Sequence, residues 1–181
     1  MVTIKYDNQG DAISRDVPAD SGATIVHNDL KYDNLVLDPR GFDPGDAAPL
    51  SARSVLAVLD WEMATVGCPL MDLGTSLGYW VEAADAAPVR MMAFVPTTEP
   101  GSLDREGIVR RYEERSGRAV SRPVFYFAFG VFKLAVVGQQ IYRRFVTGKT
   151  QDKRFAMFGA AVRTLGELGV RALDADRISR I

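Results

Sequence analysis

The sequence predicts an α+β fold dominated by helices. Three short β-branched runs crowd the first 60 residues, and the long apolar periodicities after them repeat at helical spacing. The composition is that of an ordinary globular protein, 47% apolar and 25% charged. At 181 residues the chain suffices for one domain with a real core and is short for two.

The elements follow in order. Residues 1–23 lack periodicity and contain Gly10, Pro18 and Gly22, so they read as an irregular N-terminal segment, with the folded unit over 24–181. Thr24-Ile25-Val26 reads as a strand running into His27. Leu35-Val36-Leu37 reads as a second, closed by Asp38-Pro39-Arg40-Gly41. A loop rich in Gly, Pro and Asp spans 40–52, and a strand from Val55 to Leu59 ends at Asp60. Pro69 can open a helix towards Glu82 with Leu70, Leu73 and Leu77 on one face. Residues 84–101, with several Pro and Ala, read as loop. A helix over 103–115 has Ser102 as its N-cap and Gly117 just past its end. The spacing of Phe125, Phe129, Phe132 and Val136 predicts a long helix over 124–145. That of Phe155, Phe158, Val162 and Leu165 predicts a last one over 152–173.

Charge and cysteine content exclude several classes. With 22 Lys plus Arg against 23 Asp plus Glu, the net charge of −1 makes no electrostatic case for nucleic acid or an anionic membrane. The single cysteine, Cys68, allows no intramolecular disulfide. The N-terminus has no stretch suited to a signal peptide, and no uninterrupted apolar run approaches the roughly 20 residues of a membrane span. A cytoplasmic protein without membrane or nucleic-acid partners is the expectation.

The chemistry is concentrated in His27-Asn28-Asp29-Leu30-Lys31-Tyr32-Asp33-Asn34. Its H-x-D-x-x-x-x-N spacing is that of a kinase catalytic loop. Phosphoryl transfer needs positioning and charge neutralisation more than covalent help. Asp29 would accept or orient the acceptor's hydroxyl proton. Asn34 would offer a carbonyl oxygen to a magnesium ion, and Lys31 could reach the transferring phosphate of ATP. About 26 residues after Asn34, a strand ends in Asp60-Trp61-Glu62, where the kinase pattern places a metal-binding Asp. A carboxylate suits magnesium, a hard ion that prefers oxygen. Gly67-Cys68-Pro69-Leu70-Met71-Asp72-Leu73-Gly74 then sets Asp72 in the first turn of an apolar helix.

The string from Ile25 to Trp80 resembles the aminoglycoside phosphotransferase/choline kinase family. It is most similar to the phosphotransferase domains related to those attached to some acyl-CoA dehydrogenases. Phe132-Lys133-Leu134 and Gln139-Gln140-Ile141-Tyr142 extend the likeness over about residues 18–170. The resemblance implies a protein-kinase-like fold, here a helix-rich C-terminal lobe with a short β-hairpin carrying the catalytic loop. It implies Asp29 as catalytic base, Asn34 and Asp60 as magnesium ligands and His27 as a structural member of the catalytic loop. Asp72 is implied as a brace on the loop backbone, and Glu62 as an acidic residue beside the site. Asn28 stands where relatives often have Gly, and Cys68 where they often have Asp. Only 26 residues precede His27, fewer than a nucleotide-clamping lobe with its Gly-rich loop, Lys and Glu requires. That N-terminal lobe is therefore expected to be absent, and Val2-Thr3-Ile4-Lys5 reads as a chance match to its lysine strand.

Blander readings stand beside these. Asp and Asn favour turns, and Lys31 can simply be solvated. Asp72 can be a plain helix-start residue. Trp61, Tyr79 and Trp80 read as core more readily than as an acceptor pocket. Phe125, Phe129 and Phe132 form a stripe that loss of neighbouring helices would expose, to be covered by the missing lobe or by oligomer contacts. The leading expectation is an ATP- and magnesium-dependent phosphotransferase acting on a small-molecule hydroxyl. An inactive fragment that acts by binding, and a metal-dependent phosphohydrolase, are the rivals.

Overall fold

The computed structural model describes residues 17–18, 22–38, 55–93 and 95–181. Most of the expected irregular segment 1–23, the whole loop 40–52 and the Val2–Lys5 match lie outside the described residues. Strand β1 (Thr24–Val26) pairs antiparallel with β4 (Thr65–Gly67), and β2 (Leu35–Leu37) with β3 (Val55–Val58). The β2–β3 ladder is nested inside the β1–β4 pairing. The catalytic loop therefore links two different ladders and is not a hairpin tip. This nesting lays residues 27–34 alongside 59–64. Each strand has only three or four residues, too few to be stable without packing on something larger. Alternation supplies the contact: Val26 turns inward and is buried, while Ile25 faces solvent opposite Val66.

The helices are α1 (Pro69–Tyr79), the short α2 (Ala87–Arg90), α3 (Arg105–Ser116), α4 (Pro123–Val146) and α5 (Phe158–Ala175). Pro69 occupies the start of α1, where a missing N–H costs nothing, and Leu70, Leu73 and Leu77 are buried along one face. Burying a side chain such as Leu77 is worth about 2 kcal/mol. α4 runs through the middle, packed on α1 and α5.

Several expectations are corrected here. Residues 84–101 contain a helical turn, α2, whose Val89 is buried. The N-cap of α3 is Asp104, whose side chain accepts from the Gly107 N–H at 2.7 Å, and not Ser102. Gly117 does close that helix, at φ 68°. The last helix starts later than expected, because Asp152 caps a separate 3-10 turn, Lys153–Met157. On α4 the fully buried stripe is Phe127, Val131 and Ala135 with Ala128, whereas Phe129, Phe132 and Val136 are only half-buried. Large exposed apolar side chains are found on the strands and the turn after them, at Ile25, Leu56, Trp61 and Val66, and also at scattered helix and loop positions such as Met91 and Val146. By length and composition α4 could cross a membrane. Its buried stripe against α1 and α5 is that of a core helix.

Two features lock the helices. Gly74 of α1 and Gly130 of α4 meet backbone to backbone: a Cβ on Gly74 would strike the Tyr126 carbonyl, and one on Gly130 the carbonyl of Gly74. The second is a buried polar cluster. The Arg105 guanidinium, 1% exposed, donates to both carboxylate oxygens of Asp85 and to the Trp80 and Ile178 carbonyls. Glu82 accepts from the N–H groups of Arg105 and Arg180 and from the Ser179 hydroxyl. Buried charges persist when paired and hydrogen-bonded in this way. The cluster ties the C-terminal residues to the start of α3.

Gly74→Ala is expected to cost about 3 kcal/mol or more, as backbone must move to admit the methyl. Gly166→Ala on α5, where an added Cβ meets nothing within 4 Å, is expected to gain about 0.5–1 kcal/mol from helix propensity. Urea denaturation of the two variants measures the contrast.

Candidate active site

The site is built where the two ladders meet the N-terminus of α1. Asp72, in the first turn of α1, turns its carboxylate onto the loop. Oδ2 accepts from the His27 N–H at 2.8 Å and Oδ1 from the Asn28 N–H at 2.7 Å. Asn28 sits at φ 66°, a left-handed conformation that a non-glycine residue keeps only where its surroundings insist. They do. Its side-chain amide donates to the Met63 carbonyl at 3.1 Å, and its own carbonyl accepts from Lys133 Nζ at 2.6 Å. Strand, helix α1, the 3-10 turn Trp61–Met63 and helix α4 thus all grip the residue preceding Asp29.

His27 is 3% exposed. Its Nε2 lies 2.7 Å from the Leu59 carbonyl, and its Nδ1 accepts from the Asp29 N–H at 3.2 Å. The carbonyl can only accept and the amide only donate, so the ring proton is on Nε2. Both ring nitrogens are committed to backbone, so the imidazole has neither free for a reacting group and shapes the loop as one of its structural members. Trp61 covers it, ring centroids 4.7 Å apart.

Asp29 projects from this frame. Lys31 Nζ donates to its Oδ2 at 2.8 Å, the Asn34 amide to the same oxygen at 3.3 Å, and the Tyr79 hydroxyl to Oδ1 at 2.5 Å. Burial pushes the Asp29 carboxyl up. The hydrogen bonds from Lys31 and Tyr79, the Lys31 charge and the Asn34 amide outweigh it, holding the group below its ordinary value. It stays ionised at neutral pH. Burial first, then the bond to Asp29 and the nearby negative charges, drives the Tyr79 phenol well above its usual range.

Asn34 is buried, and its amide also donates to the Asp29 carbonyl at 2.8 Å. That fixes which way the side chain faces: the NH2 points at Asp29, so the carbonyl oxygen Oδ1 points away, with no hydrogen-bond donor on it among the described residues. Asp60 lies at the adjoining end of the β2–β3 ladder. Its neighbour Leu59 donates its N–H to the Asn34 carbonyl at 2.8 Å and accepts from His27. Asp60 itself is exposed, at φ 65°, with a carboxylate that makes no bond among the described residues. Two hard oxygen groups on adjoining segments suit a small divalent cation that takes its remaining ligands from water or phosphate. Among the described residues no cluster of three His, Cys, Asp or Glu could cage a metal alone.

Glu62, expected as support, is exposed on the turn and contributes no hydrogen bond or ion pair among the described residues. The turn supports the loop through the Met63 carbonyl instead. The sequence reading also missed two side chains at the site. Tyr79 reads as core, yet it lies seven residues after Asp72, on the same face of α1. Lys133 is a lone cation on the apolar part of α4. Burial lowers its pKa, against the opposing pull of Asp72 and Asp29. These were the signals available.

A cavity of about 460 Å³ opens beside Asp29 and runs between α1, α4 and α5. Asp29, Lys31, Tyr79 and Lys133 stand at its polar end. Val137, Ile141, Phe158 and Leu165 line an apolar body, and Arg105 is also in its wall. Asn34 and Asp60 are not among the lining residues. Asp29 thus stands between a pair of cation-suited oxygens and an apolar chamber.

Residues 10–104 match the model of the family described as "Phosphotransferase enzyme family". The mouse protein "Acyl-CoA dehydrogenase family member 11" is 29% identical over 155 residues, 84% of this chain and 18% of that protein. The chicken protein of the same name is 30% identical over 158 residues, 84% of this chain and 19% of that one. A crystal structure from Ralstonia eutropha JMP134, assigned as an aminoglycoside phosphotransferase, superposes with a TM-score of 0.70 at 29% identity. It covers 90% of this chain, which spans 46% of that one. The chain therefore spans under a fifth of these curated relatives and less than half of the solved structure.

Asp72→Ala would leave two adjacent N–H groups of the loop without their anion. The expected loss is about 2–4 kcal/mol of stability, the scale of two charge-assisted hydrogen bonds partly replaced by water. Chemical denaturation checks it, and a change below about 0.5 kcal/mol would show the brace to be idle.

Proposed function

This chain belongs to the phosphotransferase enzyme family, and we propose that it carries the base-and-metal half of an ATP-dependent small-molecule kinase. In this reading the γ-phosphoryl group of ATP passes to a hydroxyl on the acceptor. The observation that supports it most is the Asp29 carboxylate, held ionised by Lys31, Asn34 and Tyr79 at the mouth of a cavity. Loss of a proton from the acceptor hydroxyl goes with attack on phosphorus, and in this reading Asp29 orients that hydroxyl and takes the proton. Lys31 brings a cation to the same carboxylate, within reach of a phosphoryl group arriving there. Asn34 and Asp60 would hold magnesium, which when bound neutralises charge on the phosphates. Nucleotide would then approach from the Asn34–Asp60 side, and acceptor from the cavity.

The cavity also favours an acceptor class. Aminoglycosides and sugars are polar throughout, and choline is small. A hydroxyacyl thioester has an apolar chain beside its hydroxyl, matching polar groups at one end of the cavity and Val137, Ile141, Phe158 and Leu165 along its body.

The test is transfer of labelled phosphate from MgATP to a panel holding kanamycin, choline, glucose and a hydroxyoctanoyl thioester. Transfer is expected with the thioester. Asp29→Ala and Asp60→Ala are each expected to slow it by about a thousandfold, roughly 4 kcal/mol of barrier. Near-normal turnover by Asp60→Ala removes the metal assignment. A wild-type chain that binds no MgATP by calorimetry supports the rival, a non-catalytic binding fragment.

A further inference from the structure

A carboxylate offers about four lone-pair directions. At Asp29 two donors, Lys31 and the Asn34 amide, share Oδ2, and the Tyr79 hydroxyl takes one side of Oδ1. One direction on Oδ1 remains, on a side chain that lines the cavity. We propose that Tyr79 is a positioning residue of the phosphoryl-transfer site: by holding one side of Oδ1, its phenol leaves Asp29 a single direction for the acceptor hydroxyl and denies the other to water. This rests on the phosphotransferase reading above.

Three further observations support the assignment. Tyr79 is on the same helix as Asp72, seven residues on, so the two side chains leave one face about 10 Å apart. Asp72 holds the loop's backbone while Tyr79 holds its carboxylate, and the Gly74–Gly130 contact fixes the helix between them. The Tyr79 ring also lies under the Lys31 ammonium, 5.0 Å from the ring centroid, so one aromatic touches both members of the Asp29–Lys31 pair. Finally, burial and the neighbouring carboxylates keep the phenol protonated. It therefore donates across the whole working pH range and does not compete for the proton that the acceptor releases.

Water is the competing acceptor at any kinase site. With the phenol gone, a second direction on Oδ1 opens to it. Tyr79→Phe keeps the ring and its packing and removes only the hydroxyl. Labelled MgATP is supplied to the intact chain with a hydroxyoctanoyl thioester, and transfer and free phosphate are counted together. The expected result is a fall in transfer kcat of about tenfold to a hundredfold, the scale of one hydrogen bond to a charged group. KM for MgATP is expected to stay within about twofold. The ratio of hydrolysis to transfer is expected to rise about tenfold. A purely structural role would lower both rates together and leave that ratio unmoved, and this outcome overturns the proposal. Phosphate recovered on Tyr79 itself overturns it too, since the phenol would then be the acceptor. The pairing is also visible without turnover, as a slowly exchanging hydroxyl proton in the NMR spectrum that disappears in both Tyr79→Phe and Asp29→Ala. If wild type transfers phosphate and only the ratio fails to move, the assignment of Tyr79 falls alone. If wild type is inert towards every acceptor while that proton is present, the phosphotransferase reading fails and takes this one with it.

Discussion

The grip of Asp72 on two successive backbone N–H groups is the constraint on which the rest of the site depends. A loop that turns sharply enough to present Asp29 must place Asn28 in the left-handed region, at φ 66°. That conformation is unfavourable for most residues other than glycine, and Asn is among the few that tolerate it at modest cost. A fixed anion behind the loop repays the strain, because both donors would otherwise be part-buried with nothing to meet. Once Asn28 is held, the Asp29 N–H meets His27, the imidazole meets Leu59, and Leu59 meets Asn34. Each contact is an ordinary hydrogen bond. Their closure into a circuit makes the geometry specific.

The helices supply the rigidity that the short strands lack. Two ladders of three or four residues cannot hold a carboxylate in place by themselves. Strand β1 rests on α1, and α1 is pressed against α4 so closely that backbone meets backbone at Gly74 and Gly130. Lys133 reaches from α4 to the Asn28 carbonyl, adding a second helix to the support of the loop. Further away, Arg105, Asp85 and Glu82 form a buried charged cluster whose polar groups bond the start of α3 to the C-terminal residues. Arg105 also borders the cavity, so its far wall is braced by the same cluster.

Electrostatics divide the site into two sides. Towards Asn34 and Asp60 the groups are hard oxygens, and towards α4 and α5 they are apolar side chains around a cavity of about 460 Å³. Asp29 lies at the border, where desolvation alone would favour its neutral form. Lys31 and Tyr79 reverse that preference. An ionised carboxylate at the edge of a largely apolar chamber attracts a hydroxyl donor.

Much of this was legible in the sequence. The H-x-D-x-x-x-x-N string, the strand ending at Asp60 and the helix opening at Pro69 are local patterns, set by β-branching, turn residues and the missing proline N–H. Helix content and most element positions follow from the same local rules. What failed was of another kind. The cap of α3 is Asp104 and not Ser102, and the buried stripe of α4 is Phe127, Val131 and Ala135, because the facing helix decides which face is inward. The backbone partners of His27, the Leu59 carbonyl and the Asp29 N–H, likewise become visible only in the folded loop. Tyr79 carries no motif, and Lys133 stands in a string shared with the family without any role attached to it. Their place depends on helices 50 and 105 residues distant from their partners in the loop. Sequence spacing therefore determined which residues share a strand, a turn or a helix face, since those relations are fixed by backbone period. Which of those faces meet, and so which side chains touch Asp29, was decided only by how α1 and α4 close on each other, a matter of shape complementarity that no local pattern encodes.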